Sequence, residues 1–143
     1  MGAHDEYGKQ IMRAAVGAEY RDWGSSVHVD YAAGQPARID GTVGNNIAVE
    51  IESRVSKQIR GAVLDLICHR YPKKLLVLLP VHMSDAEIAA SQCRHIMSRF
   101  LQPTDFRVVV LEGSGNTASI TSDAERVVQA LHELGYGVGA QSA

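Results

Sequence analysis

Apolar residues recur at helical spacing in four stretches of this chain, and the segments between them alternate or run continuously apolar. The first helix is predicted from about Asp5 to Asp22, on a stripe of Tyr7, Ile11, Ala14, Ala15 and Ala18. Ser26 to Tyr31 alternates weakly and is a candidate strand. Ala37 to Val43 alternates cleanly, with Ala37, Ile39, Gly41 and Val43 against Arg38, Asp40 and Thr42. Ile47 to Glu52 sets Ile47, Val49 and Ile51 against Ala48, Glu50 and Glu52. Gly44-Asn45-Asn46 between them is turn chemistry. A second helix is predicted from about Arg54 to Arg70, carried by Val55, Ile59, Ala62, Val63, Leu66 and Ile67 and ended by Tyr71-Pro72. Lys74 to Leu79 reads as a strand covered on both faces. A helix from Asp85 to Leu101, a buried strand from Phe106 to Leu111 and a helix from Asp123 to Leu134, closed by Gly135, complete the pattern. The tetrapeptides Ser84-Asp85-Ala86-Glu87 and Ser122-Asp123-Ala124-Glu125 read as capping boxes that start the last two helices.

Strand, helix, strand, helix in the second half argues for parallel strands with crossover helices. The first half is a helix followed by an antiparallel meander. The expected fold is a single α/β domain over residues 1–143, with a mixed central sheet flanked by helices. A 45% hydrophobic content fits a globular chain that needs no staple. The apolar run Leu75 to Val81 is too short to span a bilayer, so no membrane association is expected. The N-terminal MGAHDEYGKQ lacks the pattern of a signal peptide. Cys68 and Cys93 show no CxxC spacing, which is the usage of a reduced, cytoplasmic protein. A net charge of −2 argues against nonspecific coating of nucleic acid but leaves room for an acidic metal site beside a basic rim.

The hairpin register follows from parity. A two-residue loop would set Ile39 opposite Glu52 and mix apolar with polar positions. A three-residue loop at Gly44 to Asn46 keeps the apolar side chains together and sets Asp40 opposite Glu50 and Arg38 opposite Glu52. Asp40, Glu50 and Glu52 then share one face. Carboxylates on adjacent strands are the donors that Mg²⁺ takes, one or two at a time, with water and a substrate phosphate. The alternative is an ordinary solvated polar face, its repulsion relieved by an Arg38–Glu52 pair. Arg54, Lys57 and Arg60, with Arg70, Lys73 and Lys74, form a basic edge suited to phosphates or, equally, scattered surface charge. The six histidines lack zinc-ligand spacing, and no Gly-Lys-Ser/Thr follows Gly113-Ser114-Gly115-Asn116 to make a phosphate loop, although that loop stands where α/β folds bind ligands. Gly-x-Ser-x-Gly is absent.

Arg38-Ile39-Asp40-Gly41, a turn, then Ala48-Val49-Glu50-Ile51-Glu52 and an amphipathic helix resemble the core of the PD-(D/E)XK nuclease superfamily. The resemblance spans residues 5 to about 80 and implies a restriction-endonuclease-like α-β-β-β-α-β core, with one more α/β unit at the C-terminus. Asp40 matches the first acid of the motif and Glu50 the second. Glu52 stands where most members carry Lys, as in some restriction endonucleases, and Ile39 stands where the motif has Pro. Glu19 is similar to an extra acid in several branches, and Gln58 to a helix Gln in many members. Lys57 is a candidate substitute for the motif Lys. The resemblance implies hydrolysis of DNA phosphodiesters with Mg²⁺ or Mn²⁺ held by Asp40 and Glu50. Glu52 would work on the attacking water, Glu19 would support, and Arg54, Lys57 and Arg60 would meet DNA. Duplex cleavage would then call for a homodimer. A non-catalytic binding or regulatory module on the same core, or an α/β domain taking a small ligand at its C-terminal loops, are the alternatives.

Overall fold

The structure, a computed structural model, describes residues 3–54, 57–113 and 117–137. Helix α1 (Ala3–Val16) leads into strand β1 (Tyr20–Arg21). Strands β2 (His28–Val29) and β3 (Ala37–Arg38) pair only with each other. Strands β4 (Gly41–Val43) and β5 (Ile47–Glu52) form the hairpin, followed by α2 (Lys57–Cys68), β6 (Lys73–Leu78), α3 (Ala86–Ser98), β7 (Phe106–Val110) and α4 (Thr117–Glu133). The main sheet has the order β1-β4-β5-β6-β7. Its first three strands are antiparallel neighbours, and β5, β6 and β7 run parallel. The chain is therefore a mixed α/β fold, a five-stranded sheet flanked by four helices. No described helix is long and apolar enough to cross a membrane.

Strand pleating separates two cores. Val43, Ile47, Val49, Ile51, Leu75, Val77 and Leu79 pack under α1 and α4, against Ile11, Val127 and Leu131. Ala48, Leu76, Leu78 and Val108 pack on the other side, against Val63 and Leu66 of α2 and Met97 of α3. Apolar residues on both faces of β6 are what its unbroken sequence run requires. Strand β7 is the edge of the described sheet, so Val110 is only half-buried. Its outward carbonyls are not left open. Arg107 donates to Phe106 O, Arg94 to Val108 O and Arg126 to Val110 O, at 2.7–2.9 Å. Three guanidinium groups on alternate carbonyls block that edge from pairing with another strand.

Several boundaries differ from the sequence expectation. Helix α1 stops at Val16 because Gly17 turns left-handed at φ 60°, and Tyr20–Arg21 becomes an edge strand instead of a fifth helical turn. Ala37 to Val43 is not one strand. Ala37–Arg38 pairs with His28–Val29, the Ile39 amide donates to Val27 O, and the main sheet resumes only at Gly41. Ile39 and Val43 consequently lie in opposite cores, and Arg38 never comes opposite Glu52. Asp85, not Ser84, caps α3 by accepting the Ile88 amide, and α4 begins at Thr117, which places Ser122 inside the helix. Val55 and residues 114–116 of the glycine-rich loop lie outside the described residues.

Two buried polar groups show how the core tolerates polarity. The His69 ring donates from Nε2 to Ser26 O at 2.6 Å and accepts the Tyr71 amide at Nδ1, so both nitrogens are used and the ring is neutral. Burial also holds its pKa low. Lys74, pushed down to about 8 by burial, donates to His69 O. Thr42 is the exception: it is 1% exposed, and its hydroxyl finds no partner among the described residues. Thr42→Val, equal in shape, is expected to stabilise the fold by about 1 kcal/mol. Chemical denaturation would check this, and a loss of stability would show that the hydroxyl is satisfied.

Candidate functional site

The three-residue turn Gly44 to Asn46 produces the odd-loop register: Val43 pairs with Ile47, Thr42 with Ala48 and Gly41 with Val49. The next pair along the ladder is Asp40 and Glu50. Here the regular main-chain pairing gives way to side chains. Glu50 Oε1 accepts the Asp40 amide at 2.7 Å, and Asp40 Oδ2 accepts the Ile51 amide at 2.7 Å. Strand β5 is central, not half-exposed, and all six of its residues are buried. Glu50 and Glu52 are 7% and 6% exposed, so the acidic face is not a solvated one.

Such burial has an electrostatic consequence. Glu50 is pushed up to about 10, first by loss of hydration and then by the Asp40 charge. At neutral pH Glu50 therefore keeps its proton. Asp65, on α2, adds to the repulsion. Tyr20 braces the pair from the edge strand, its hydroxyl donating to Asp40 O at 2.9 Å. Its ring crosses Gly41 so closely that a Cβ there would lie 2.4–2.5 Å from the ring carbons and hydroxyl, so only glycine fits. Burial, then the charges of Asp40 and Asp22, hold the Tyr20 phenol well above its ordinary value, and it stays a donor. Asp22 receives Lys9 at 3.2 Å and Arg13 at 3.0 Å, which fixes β1 against α1.

The other sequence candidates are not all brought together. Glu52 Oε2 accepts from the amides of Ser53 and Arg54 and from Arg54 Nε, at 2.8–3.1 Å. It caps the end of its own strand, although no described residue bonds Oε1. Glu19 is displaced from the position the sequence implied. Because α1 ends early, Glu19 sits on a single 3₁₀ turn, its carbonyl accepting the Gly44 amide and its charge facing Tyr136. That is the turn end of the hairpin, about 13 Å along the strand from Asp40. Lys57, Gln58 and Arg60 are exposed on the first turns of α2, and Arg54 is exposed beside Glu52. Tyr20 and Asp65 are near the pair without having been legible from the motif.

Family models, curated proteins and solved structures yield no match to this chain. The residues must therefore carry the reading.

Among the described residues, no three His, Cys, Asp or Glu side chains group so as to hold a metal ion. Asp40 and Glu50 nonetheless fit a hard divalent cation. Mg²⁺ needs only one or two carboxylates besides water and substrate oxygens, and Asp40, just before β4, and Glu50, on β5, present two linked through each other's backbone amides. Two open surface grooves run along α4, one beside Ala14 and the other beside Val109, and neither includes the pair.

Proposed function

We propose that this chain is a metal-dependent nuclease acting on DNA, with Asp40 and Glu50 as the ligands of Mg²⁺ or Mn²⁺. The observation that carries the reading is the meeting of these two side chains, the Asp40 amide donating to the buried Glu50 Oε1 and Asp40 Oδ2 accepting the Ile51 amide. A bound divalent ion at such a pair supplies an acidified water and charge stabilisation at the phosphoryl oxygen. The chain's own residues do the rest. Tyr20 and the Ile51 amide hold Asp40 in place, and the Asp40 amide holds Glu50. Glu52 offers Oε1 to orient the attacking water, its other oxygen being fixed by Ser53 and Arg54. Arg54, Lys57 and Arg60 are exposed after the end of β5, for the phosphate backbone. Glu19 is left out of the proposed site. With Cys68 and Cys93 unpaired, the reading places the protein in the cytoplasm.

Assays on single-stranded and duplex DNA with Mg²⁺ and with Mn²⁺ test it. Cleavage by wild type, lost by about 100-fold or more in Glu50→Ala, is expected. Glu52→Lys, which installs the residue common in the superfamily resembled, is expected to keep part of the activity. Absence of cleavage with either ion would leave the second reading, a non-catalytic binding module. The commitment of Glu52 Oε2 to Arg54 and its own backbone favours that reading.

A further inference from the structure

Trp23, the chain's single tryptophan, is 67% exposed. A tryptophan carries a large apolar surface, and leaving it in water forgoes burial that the fold could use. Its backbone is tied down on the residue before it. The Asp22 carboxylate is held by Lys9 and Arg13, and the Asp22 carbonyl accepts from Arg38 Nη2 at 3.3 Å. Arg13, Arg21 and Arg38 are all exposed around this segment. These three guanidinium groups outnumber the carboxylates of Asp22 and Asp40 beside them, so the segment carries an excess of positive charge. It also adjoins the acid pair. Arg38 lies two residues before Asp40, and Tyr20, three residues before Trp23, bonds the Asp40 carbonyl.

An aromatic face in water, on an anchored segment that also carries exposed guanidinium groups, is the combination that receives an unpaired base and its phosphates. Bases in a duplex are already stacked on one another and offer no free face. We infer that Trp23, with Arg13, Arg21 and Arg38, is a stacking platform for single-stranded DNA, which it leads toward Asp40 and Glu50. The strand's direction rests on the nuclease reading, whereas the binding itself does not.

Because Trp23 is the sole tryptophan, its fluorescence reports on this position alone. Titration with an oligothymidylate in a metal chelator, where cleavage cannot intervene, is expected to quench it saturably and less tightly as salt rises. A blunt duplex of equal length is expected to leave it largely unchanged. By anisotropy of a labelled oligothymidylate, Trp23→Ala is expected to bind about tenfold or more weakly, with Trp23→Phe recovering much of the loss. No quenching, equal quenching by the duplex, or undiminished binding by Trp23→Ala would overturn the inference. Quenching without any cleavage in Mg²⁺ would sink the nuclease reading and leave the platform standing. Cleavage without quenching would do the reverse.

Discussion

Val77→Asp is expected to leave the chain unfolded. Val77 is fully buried on β6, between β5 and β7, in the core with Val49, Ile51, Leu75 and Leu131. The side chains it packs with there are aliphatic and aromatic, so an aspartate brings a charge into apolar surroundings. An uncompensated buried charge costs about 3–5 kcal/mol, a large part of the roughly 5–15 kcal/mol that holds a domain together. Val77→Ala removes only methyl groups and is expected to cost about 1–3 kcal/mol, leaving a folded protein. Circular dichroism and thermal melts of the two variants separate these outcomes. A Val77→Asp protein that melts cooperatively near wild type would mean that β6 is not central.

Glu50→Gln is expected to raise stability, and only above the acid range. Glu50 titrates at about 10 when folded, against 4.5 for the free group. Below the lower value both states hold the proton and the group costs nothing. Between the two values the unfolded chain releases a proton that the folded chain keeps, so stability falls as pH rises through that window. Glutamine keeps the size and an accepting oxygen for the Asp40 amide but cannot ionise in the unfolded state. At about pH 4 the two proteins should melt alike. At about pH 8 the variant should melt higher, by roughly 5 °C or more. A difference that does not change with pH would mean that Glu50 is ionised in the folded protein.

The hairpin was legible because parity admits few answers: an odd loop at Gly44 to Asn46 brings Asp40 to Glu50, and that pairing is present. The unbroken apolar run of β6 likewise announced a strand with helices on both sides. Alternation could not show that Ala37–Arg38 belongs to another sheet. The letters alternate through Ile39 and Asp40, while the amide of Ile39 goes to Val27 and that of Asp40 to a side chain. Helical spacing also ran past Gly17 to Ala18, hiding the left-handed turn that releases Tyr20 into the sheet and carries Glu19 away. Glu52 has the right parity, but one of its oxygens serves the backbone of Ser53 and Arg54, a local capping bond that spacing does not reveal. Parity also gave no measure of burial. A solvated polar face stayed open as the alternative, whereas α2 and β6 cover β5 and bury Glu50 and Glu52.

Calorimetric titration of Mn²⁺ into the protein at about pH 8, in two buffers of different ionisation enthalpy, tests the proposed metal site most directly. The account predicts saturable binding at one site with net release of a proton, because the cation takes the place of the proton that Glu50 keeps. Glu50→Ala should abolish that binding. Failure of wild type to bind, or undiminished binding with the same proton release in Glu50→Ala, would contradict it.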